Sequence, residues 1–315
     1  MRRVPILVAF GGGSGSGVKR YMETIHKTCA AYNTEPEIFL DSGAYSAMTQ
    51  GKPIKVADYI AFVKEVKHLV AHYANLDVIG DHIQTQRNQE EMEKAGLLPM
   101  PIFHQGSPLS VLQQMLDNYT GKICIGGLVA SRMATLTAPI FLGACAEIIE
   151  SHYSKQPPKS NIHLFGMSPT PSILEISRVW KSFDSSTGSG YRFGIVYTPN
   201  DKKVSLSALN TNRRKQNLVL GSILRIPCLS DTTKELIREN RRGTRGARAG
   251  SYWDMLGVLS VYWNKTSLLD YYGMESSSFF VVMNEGYPRP YLDILISGMR
   301  DINENRGNRL PKDSM

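Results

Sequence analysis

Apolar and polar residues alternate over the first 200 positions in a pattern that predicts repeated β/α units. Short apolar runs of strand length are separated by amphipathic stretches of helix length. Apolar residues recur every three or four positions from Val56 to Val70, which predicts a helix with one buried face, and a shorter helix from Pro171 to Trp180 is also predicted. The predicted strands are Ile6–Phe10, Glu37–Leu40, Leu76–Ile79, Met100–Phe103, Lys122–Ile125, Ile162–Phe165 and a short one near Ser182–Phe183.

Seven such units predict an α/β fold, and specifically a closed (β/α)8 TIM-type barrel. An open, doubly wound sheet is the alternative architecture. The pattern changes after residue 190: Arg192–Tyr197 and Lys203–Leu209 predict a hairpin, and residues 251–300 predict mostly helix. We therefore expect a catalytic barrel core in residues 1–200. Residues 201–315 are expected to form a basic, mostly helical extension that completes the barrel and binds nucleic acid.

Positive charge is concentrated in one part of the chain. The formal net charge is +8, and residues 201–250 account for all of it, with twelve basic and four acidic side chains. A localised basic surface attracts polyanions, so nucleic-acid binding is predicted, although a basic face that only aids solubility has the same composition. Tyr252 and Trp253 follow this window and are expected to stack on exposed bases. The predicted nucleic-acid contacts are Arg213, Arg214, Lys215, Arg241, Arg242, Arg245 and Arg248.

Other patterns narrow the class of protein. No continuous apolar run reaches the length of about 18 residues needed to span a bilayer, so no membrane partner is expected. Four widely spaced cysteines indicate reduced thiols and a cytoplasmic location. Neither cysteine nor histidine shows metal-binding spacing, so neither a metal nor a cofactor is predicted. The glycine-rich residues 11–19 fit no nucleotide motif, and a phosphate cradle and a plain turn both stay open.

Polar or glycine-rich residues follow six of the seven predicted strands. Because the carboxyl ends of parallel strands meet at one face of a barrel, these residues predict a shared site. An aspartate at a strand end is also a common helix cap, which is the plain alternative for each residue taken alone. In chain order the predicted site residues are Asp41, Asp81, Gln105, Gly127, Leu128, Val129, Gly166, Met167 and Asp184.

Five short motifs in this order resemble the tRNA-guanine transglycosylase superfamily over about residues 5–200. They are Asp-Ser-Gly-Ala-Tyr-Ser (41–46), Gln-Gly (105–106), Gly-Gly-Leu-Val (126–129), Leu-Phe-Gly-Met-Ser-Pro (164–169) and Phe-Asp-Ser-Ser (183–186). The chain looks most similar to the phage-type DpdA branch, whose members exchange guanine in DNA for a 7-deazaguanine base. The resemblance implies a glycosyltransferase that forms a covalent aspartyl–sugar intermediate and protects phage DNA from restriction. Its expected partners are DNA, with the guanine flipped out or single-stranded, and a free 7-deazaguanine.

The resemblance also implies a role for each predicted site residue. Asp184 is the nucleophile at the sugar C1′, and Asp41 is the general acid and base. Asp81 reads the N1 and amino edge of guanine. Gln105 and the backbone of Gly127, Leu128 and Val129 contact the carbonyl side, and Gly166 and Met167 wall the base pocket. These roles agree with the chemistry, because breaking an N-glycosidic bond calls for one carboxylate at the sugar and one proton donor at the base.

The chain departs from the tRNA enzymes of this superfamily at their zinc site. Those enzymes carry clustered cysteines and a histidine after the catalytic aspartate, whereas only Cys228 lies in the corresponding region here. We therefore expect no zinc site, and we favour DNA over tRNA as the substrate. Three alternatives stay open: the same exchange on tRNA, a DNA glycosylase that removes the base without reinsertion, and a nucleic-acid-binding module without catalysis.

Overall fold

The structure is a computed structural model that describes most of the chain. The described residues are 2–10, 15–156, 158, 160–185, 195–200, 202–242, 247–275, 278–283 and 287–305. The chain divides into two compact units. Unit 1 comprises Met1–Ile6, Tyr21–Pro36 and Ser185–Met315, and unit 2 comprises Leu7–Arg20 and Glu37–Asp184. The division of function at residue 200 stays a prediction.

Strands and helices alternate through most of the chain, which makes the fold α/β as predicted. The strands are β1 (Arg2–Ala9), β2 (Thr34–Asp41), β3 (His72–Tyr73), β4 (Ile102–His104), β5 (Gly121–Gly126), β6 (Ser160–Leu164), β7 (Trp180–Ser185), β8 (Ile195–Tyr197), β9 (Lys203–Ser205) and β10 (Phe279–Val282). The helices are α1 (Gly15–Ala31), α2 (Ala44–Gln50), α3 (Val56–Val66), α4 (His82–Lys94), α5 (Leu109–Asn118), α6 (Arg132–Lys155), α7 (Pro171–Ile176), α8 (Leu206–Thr211), α9 (Arg213–Leu224), α10 (Asp231–Arg242), α11 (Ala247–Tyr271) and α12 (Arg289–Glu304).

Strands β1 to β7 and β10 belong to one eight-stranded sheet. Within unit 2, β2 pairs with β3, and β4, β5, β6 and β7 pair in succession, all in parallel. Ala74, directly after β3, forms a parallel bridge with Met100, shortly before β4. Backbone hydrogen bonds of 2.9 Å from Met100 N to Tyr73 O and of 3.0 Å from Asn75 N to Met100 O flank that bridge. In the order of the sheet β3 and β4 are the first and last strands, and the bridge joins the segment after β3 to the segment before β4. Because the pairings are parallel, the carboxyl ends of β2 and β3 lie at one edge, as do those of β4 and β5.

The third strand lies earlier in the chain than the sequence predicts. It covers His72–Tyr73, and the predicted strand Leu76–Ile79 has no regular structure. Side chains of α4 bond this backbone in place of a neighbouring strand: Asn88 Nδ2 donates to Leu76 O at 2.8 Å, and Thr85 Oγ1 accepts from Val78 N at 2.9 Å. The apolar run indicates that this stretch is buried. Its backbone N–H and C=O groups form hydrogen bonds with side chains of α4 instead of with a neighbouring strand.

Three other predicted elements end elsewhere. Helix α3 stops at Val66, and α7 stops at Ile176, so that Trp180 begins β7 instead of ending a helix. The second hairpin strand ends at Ser205, whose hydroxyl caps α8 by accepting from Ala208 N at 3.3 Å. The predicted hairpin is otherwise confirmed as antiparallel β8 and β9, with residues 192–194 outside the described part. Strand β10 lies within a stretch predicted to be mostly helix.

Unit 1 contains the hairpin and helices α8 to α12. The position of Tyr252 and Trp253 in its core contradicts the prediction that these two residues stack on bases. Tyr252 and Trp253 lie on α11 with exposed fractions of 0% and 3%, and the Tyr252 hydroxyl donates to Ile237 O at 2.7 Å. The expected stacking of these two aromatic rings on nucleic-acid bases is therefore wrong. The described basic residues of the window lie largely on α9 and α10, while residues 243–246 lie outside the described part.

Helix α6 is the one described helix long and apolar enough to cross a membrane by length and composition. Core helices of soluble proteins meet the same criterion. Here a stripe of six residues faces the interior of unit 2, namely Ala138, Leu142, Cys145, Ala146, Ile149 and His152. That stripe follows the helical period, as expected for a helix that packs against a sheet. The cytoplasmic location stays a prediction.

Candidate active site

Asp41 ends β2, and its carboxyl group lies in an acidic environment. The backbone N–H groups of Ser42 and Gly43 donate to this carboxyl group, and Gly43 adopts a left-handed conformation with φ of 78° to begin α2. Burial, followed by the negative charges of Asp77 and Asp184, raises the pKa of Asp41 to about 8. Asp41 therefore carries a proton at neutral pH, which a general acid requires. The charges of Asp77 and Asp184 thus both act on the carboxyl group of Asp41.

Asp77 is the residue of this acidic cluster that the sequence did not single out. It lies after β3 and is buried, with both carboxyl oxygens engaged. Oδ1 accepts from Ser42 Oγ at 2.7 Å, and Oδ2 lies 2.9 Å from His104 Nε2. Asp77 thus links the segments that follow β2, β3 and β4. The structure does not bring Asp81 into this cluster: Asp81 is exposed and caps α4 by accepting from Gln84 N at 2.9 Å.

Asp184 near the end of β7 is held by one of its two oxygens. Oδ1 accepts from Gly166 N at 2.9 Å and lies 3.2 Å from His163 Nε2. Burial lowers the pKa of His163, so its imidazole is neutral and carries one N–H. Because a carboxylate only accepts, that hydrogen belongs on Nε2, and Nδ1 accepts from Ser182 Oγ at 2.9 Å. Within the described part of the chain, both hydrogen bonds of this carboxyl group fall on Oδ1.

The segments after β4, β5 and β6 approach one another closely at two glycines. Gly127 has φ of 76°, and a Cβ there would lie 3.3 Å from Gln105 N. Gly166 has φ of 65°, and its Cβ would lie 3.0 Å from Val129 Cγ2. Any larger residue would be strained and crowded at either position. Gly166 N also donates to Asp184, so Gly166 is the predicted pocket residue that the structure shows in contact with Asp184, and Val129 lies against Gly166.

The remaining pocket residues differ in what they can present to a ligand. Gln105 is half-buried, and its Nε2 donates to Thr137 Oγ1 at 2.7 Å. The Leu128 side chain is buried, which leaves only its backbone for recognition, whereas Val129 is exposed and Met167 is half-buried. Phe165 packs against Phe39 and His163 at ring-centroid distances of 5.2 and 4.8 Å. These rings form an apolar wall beside the histidine that holds Asp184.

Two histidines, His104 and His163, carry hydrogen bonds that sequence reasoning did not assign. From the sequence alone, His104 and His163 were considered only as metal ligands. A signal was present, because each is polar within an otherwise apolar strand, Ile-Phe-His and Ile-His-Leu, and a buried polar side chain needs a partner. The partner of His104 is Asp77, and the partners of His163 are Ser182 and Asp184.

The predicted nucleic-acid contacts are only partly described. Arg213, Arg214 and Lys215 are exposed in the first turn of α9. Arg241 is half-buried on α10 and donates to Asn217 Oδ1 at 2.7 Å. Arg245 and the side chains of Arg242 and Arg248 lie outside the described residues. In the glycine-rich stretch, residues 11–14 also lie outside them, and Lys19 pairs with Glu65 at 2.7 Å.

Within the described ranges, no three histidine, cysteine, aspartate or glutamate side chains are grouped so as to hold a metal ion. All four cysteines are buried free thiols, and burial raises the pKa of Cys29 to about 11. Comparison with protein-family models, with curated proteins and with solved structures finds no significant match to this chain. Inference about function therefore rests on the sequence motifs and on the contacts around Asp41 and Asp184.

Proposed function

We propose that this protein is a DNA-guanine transglycosylase that exchanges guanine in DNA for a 7-deazaguanine through a covalent aspartyl–sugar intermediate. The observation that carries the proposal is the contrast between two neighbouring carboxyl groups. Asp41 carries a proton because its pKa is raised to about 8, while Asp184 is held by Gly166 and His163 at one oxygen. A retaining exchange needs one carboxyl group to give a proton and another to bond carbon.

In the first half-reaction, Oδ2 of Asp184 bonds to C1′ of the sugar as the bond from C1′ to the guanine nitrogen breaks. The electron pair of that bond leaves with the guanine, and Asp41 supplies the proton that neutralises the departing base. Asp77 contributes to this step without touching the substrate, because its negative charge helps to keep the proton on Asp41. The products are an aspartyl ester of the DNA sugar, free guanine and an ionised Asp41.

The second half-reaction reverses these roles. The ionised Asp41 removes the proton from the ring nitrogen of the incoming 7-deazaguanine, and that nitrogen bonds to C1′. The ester bond to Asp184 breaks, its electron pair returns to the carboxylate, and Asp41 is protonated again for the next cycle. Two displacements at one carbon retain the configuration of the sugar. No cofactor takes part in this sequence of steps.

Recognition of the base belongs to the segments that converge on Gly127 and Gly166. We assign contacts with the edge of the base to Gln105 and to the backbone of Gly127, Leu128 and Val129. Support comes from the contact of Val129 with Gly166, whose N–H donates to Asp184. A duplex hides that edge, so the guanine has to be flipped out or presented in a single strand. We further propose that the sheet closes into a (β/α)8 barrel. The bridge between Ala74 and Met100 supports closure, because it joins the segments after β3 and before β4.

The test is incubation of the purified chain with guanine-containing DNA and isotopically labelled guanine or 7-deazaguanine, followed by mass spectrometry of the nucleosides. Incorporation of label by the parent and by Asp58→Asn, an exposed residue of α3, with none by Asp184→Asn, is the expected result. Release of guanine without incorporation would indicate a glycosylase. Incorporation into tRNA alone would indicate the tRNA enzyme. Absence of both release and incorporation would overturn the proposal.

A further inference from the structure

Exposed apolar side chains are concentrated at one edge of unit 2. Of the eleven large apolar side chains that are exposed in the described part of the chain, seven lie in the loops before, or the first two turns of, the helices that follow strands β2, β3, β4 and β5. Isolated exposed apolar residues scatter over an ordinary surface, whereas a concentration of them marks an interaction site. We call this set the apolar rim, and it consists of Tyr45, Met48, Ile83, Leu109, Val129, Met133 and Leu136.

The topology makes the apolar rim one continuous arc. Strand β2 pairs in parallel with β3, and β4 pairs in parallel with β5. The bridge between Ala74 and Met100 joins the segment after β3 to the segment before β4. The rim residues lie in the loop before, or the first turns of, the helices that follow these strands, which are α2, α4, α5 and α6. Because carboxyl ends of neighbouring parallel strands share an edge, the seven side chains surround the same edge as Asp41 and Asp77.

Two contacts join the apolar rim to the candidate active site. Val129 belongs to the rim and lies against Gly166, whose N–H donates to Asp184. Thr137, one residue after Leu136 on α6, accepts from Gln105. The rim is thus connected to Asp184 through Val129 and Gly166, and to the predicted pocket residue Gln105 through α6.

The charges of these segments identify the kind of ligand. The segments after β2, β4 and β5, which are residues 42–55, 105–116 and 127–146, contain no acidic side chain, and Lys52, Lys55 and Arg132 are exposed within them. The segment after β3 differs, because it contains the buried Asp77 and the exposed Asp81. A surface that combines apolar side chains with scattered cations suits a strand with unpaired bases and negative phosphates. Apolar side chains such as methionine and leucine also fill the gap that a displaced base leaves in a stack.

We infer that the apolar rim binds single-stranded DNA, or a locally opened strand, through the unpaired bases that flank the reacting guanine. This inference rests on the proposed function and deepens it, because it assigns the recognition of flanking bases to α2 and α6 of unit 2. The basic window then contributes to affinity through phosphates and not through its buried aromatic rings.

The probe is a fluorescein-labelled single strand of thymines with one guanine, together with the same strand in a duplex, measured by fluorescence anisotropy against the full chain. Met133→Ser/Leu136→Ser should weaken binding of the single strand by roughly tenfold while leaving its salt dependence unchanged, because no phosphate contact is lost. Tyr45→Ser/Met48→Ser should act in the same direction. The control is Leu98→Ser, which removes a side chain 86% exposed on the connection between α4 and β4 and should bind like the parent.

Unchanged binding by both rim variants would overturn the inference, as would an equal loss in Leu98→Ser. Light scattering gives a further overturning outcome: a parent dimer that the rim variants convert to monomer would make the rim a protein interface. The binding assay does not depend on turnover. If the parent shows no exchange but the rim variants bind weakly, the transglycosylase proposal fails and the rim inference stands. If the parent exchanges guanine and the rim variants bind the single strand as tightly as the parent, the transglycosylase proposal stands and the rim inference fails.

Discussion

The imidazole Nε2 of His163 lies 3.2 Å from Oδ1 of Asp184, and His163 has no solvent exposure. Ser182 completes the arrangement by donating to Nδ1, which places the single hydrogen of a neutral ring on the nitrogen that faces the carboxylate. Asp184 is thereby oriented by a side chain that lies outside the proposed reaction. His163 is a positioning residue, and its removal should affect chemistry more than binding.

His163→Phe should slow formation of the covalent intermediate by up to about 100-fold, since misplacing a reacting group by about 1 Å has an effect of that size. An aromatic ring at this position keeps the packing against Phe39 and Phe165. Single-turnover release of labelled guanine measures the rate, and anisotropy with the single-stranded probe should show unchanged affinity. Ser182→Ala, which keeps the Nε2 donor, should have a smaller effect. A rate of guanine release in His163→Phe equal to that of the parent would show that His163 does not position Asp184.

The rate of guanine release should fall as pH rises through about 8. Asp41 must be protonated to act as the acid, and its pKa is raised to about 8, so the active form is complete below that pH and is lost above it. The measurement is the pH profile of the single-turnover rate of guanine release, which should show an alkaline limb, that is, a fall in rate as pH rises through about 8. Asp41→Asn should be slow at every pH and should lack the limb. A parent profile that stays flat from pH 6 to 10 would exclude Asp41 as the proton donor.

The same carboxyl group should make stability depend on pH. Its pKa rises from 3.8 to about 8 on folding, so the folded protein holds a proton that the unfolded chain releases between these values. The free energy of unfolding therefore loses this contribution as pH rises through the window. The melting temperature of Asp41→Asn relative to the parent should increase between pH 5 and pH 9. A difference that does not vary with pH would contradict the raised pKa.

Asp77→Asn should move the alkaline limb of the rate profile to lower pH. The charge of Asp77 is the second largest cause of the raised pKa of Asp41, after burial, and asparagine removes that charge while keeping an oxygen for Ser42. Asp58→Asn on the exposed surface of α3 is the matched control and should leave the limb in place. If the alkaline limb of Asp77→Asn lies at the same pH as that of the parent, the charge of Asp77 does not measurably raise the pKa of Asp41.

The first turn of α9 should contribute to DNA binding through phosphates. Replacing exposed Arg213, Arg214 and Lys215 by glutamine should weaken binding and reduce the slope of log affinity against log salt by about 2 for a single strand. Lys64→Gln/Lys67→Gln, two exposed charges on and beside α3, is the control. A slope identical to that of the parent would leave this turn as a solvated basic face.

Asp301→Asn should destabilise the protein by about 3 kcal/mol, because Asp301 is buried and accepts several donors from α10 and its cap. Oδ2 accepts from Ser230 N at 2.9 Å and from Ser230 Oγ at 2.7 Å, and Oδ1 accepts from Arg300 Nη2 at 2.7 Å. The control is Asp293→Asn, whose pair with the exposed Arg289 should be worth less than about 1 kcal/mol. Urea denaturation of both variants gives the comparison, and equal losses would contradict the assigned importance of this network.

Much of the fold was predictable from local pattern, and the exceptions have identifiable causes. The runs ending at Leu40, Phe103 and Ile125 lie in strands, because a buried parallel strand is apolar along its whole length. The run Leu76–Ile79 has the same composition but no strand, since side chains of α4 bond its backbone. Tyr252 and Trp253 show the same limit: their position beside arginines suggested stacking on bases, and their helix places them in the core.

The sequence by itself determined the alternation of strands and helices and the aspartates at the ends of β2 and β7, because hydrophobic period and strand-end position are local properties. Only the tertiary structure decided that the charge of Asp77 acts on Asp41 while Asp81 caps a helix, and that His163 contacts Asp184. Burial and charge coupling arise between residues far apart in the chain, such as 41, 77 and 184, and no local pattern contains their distances.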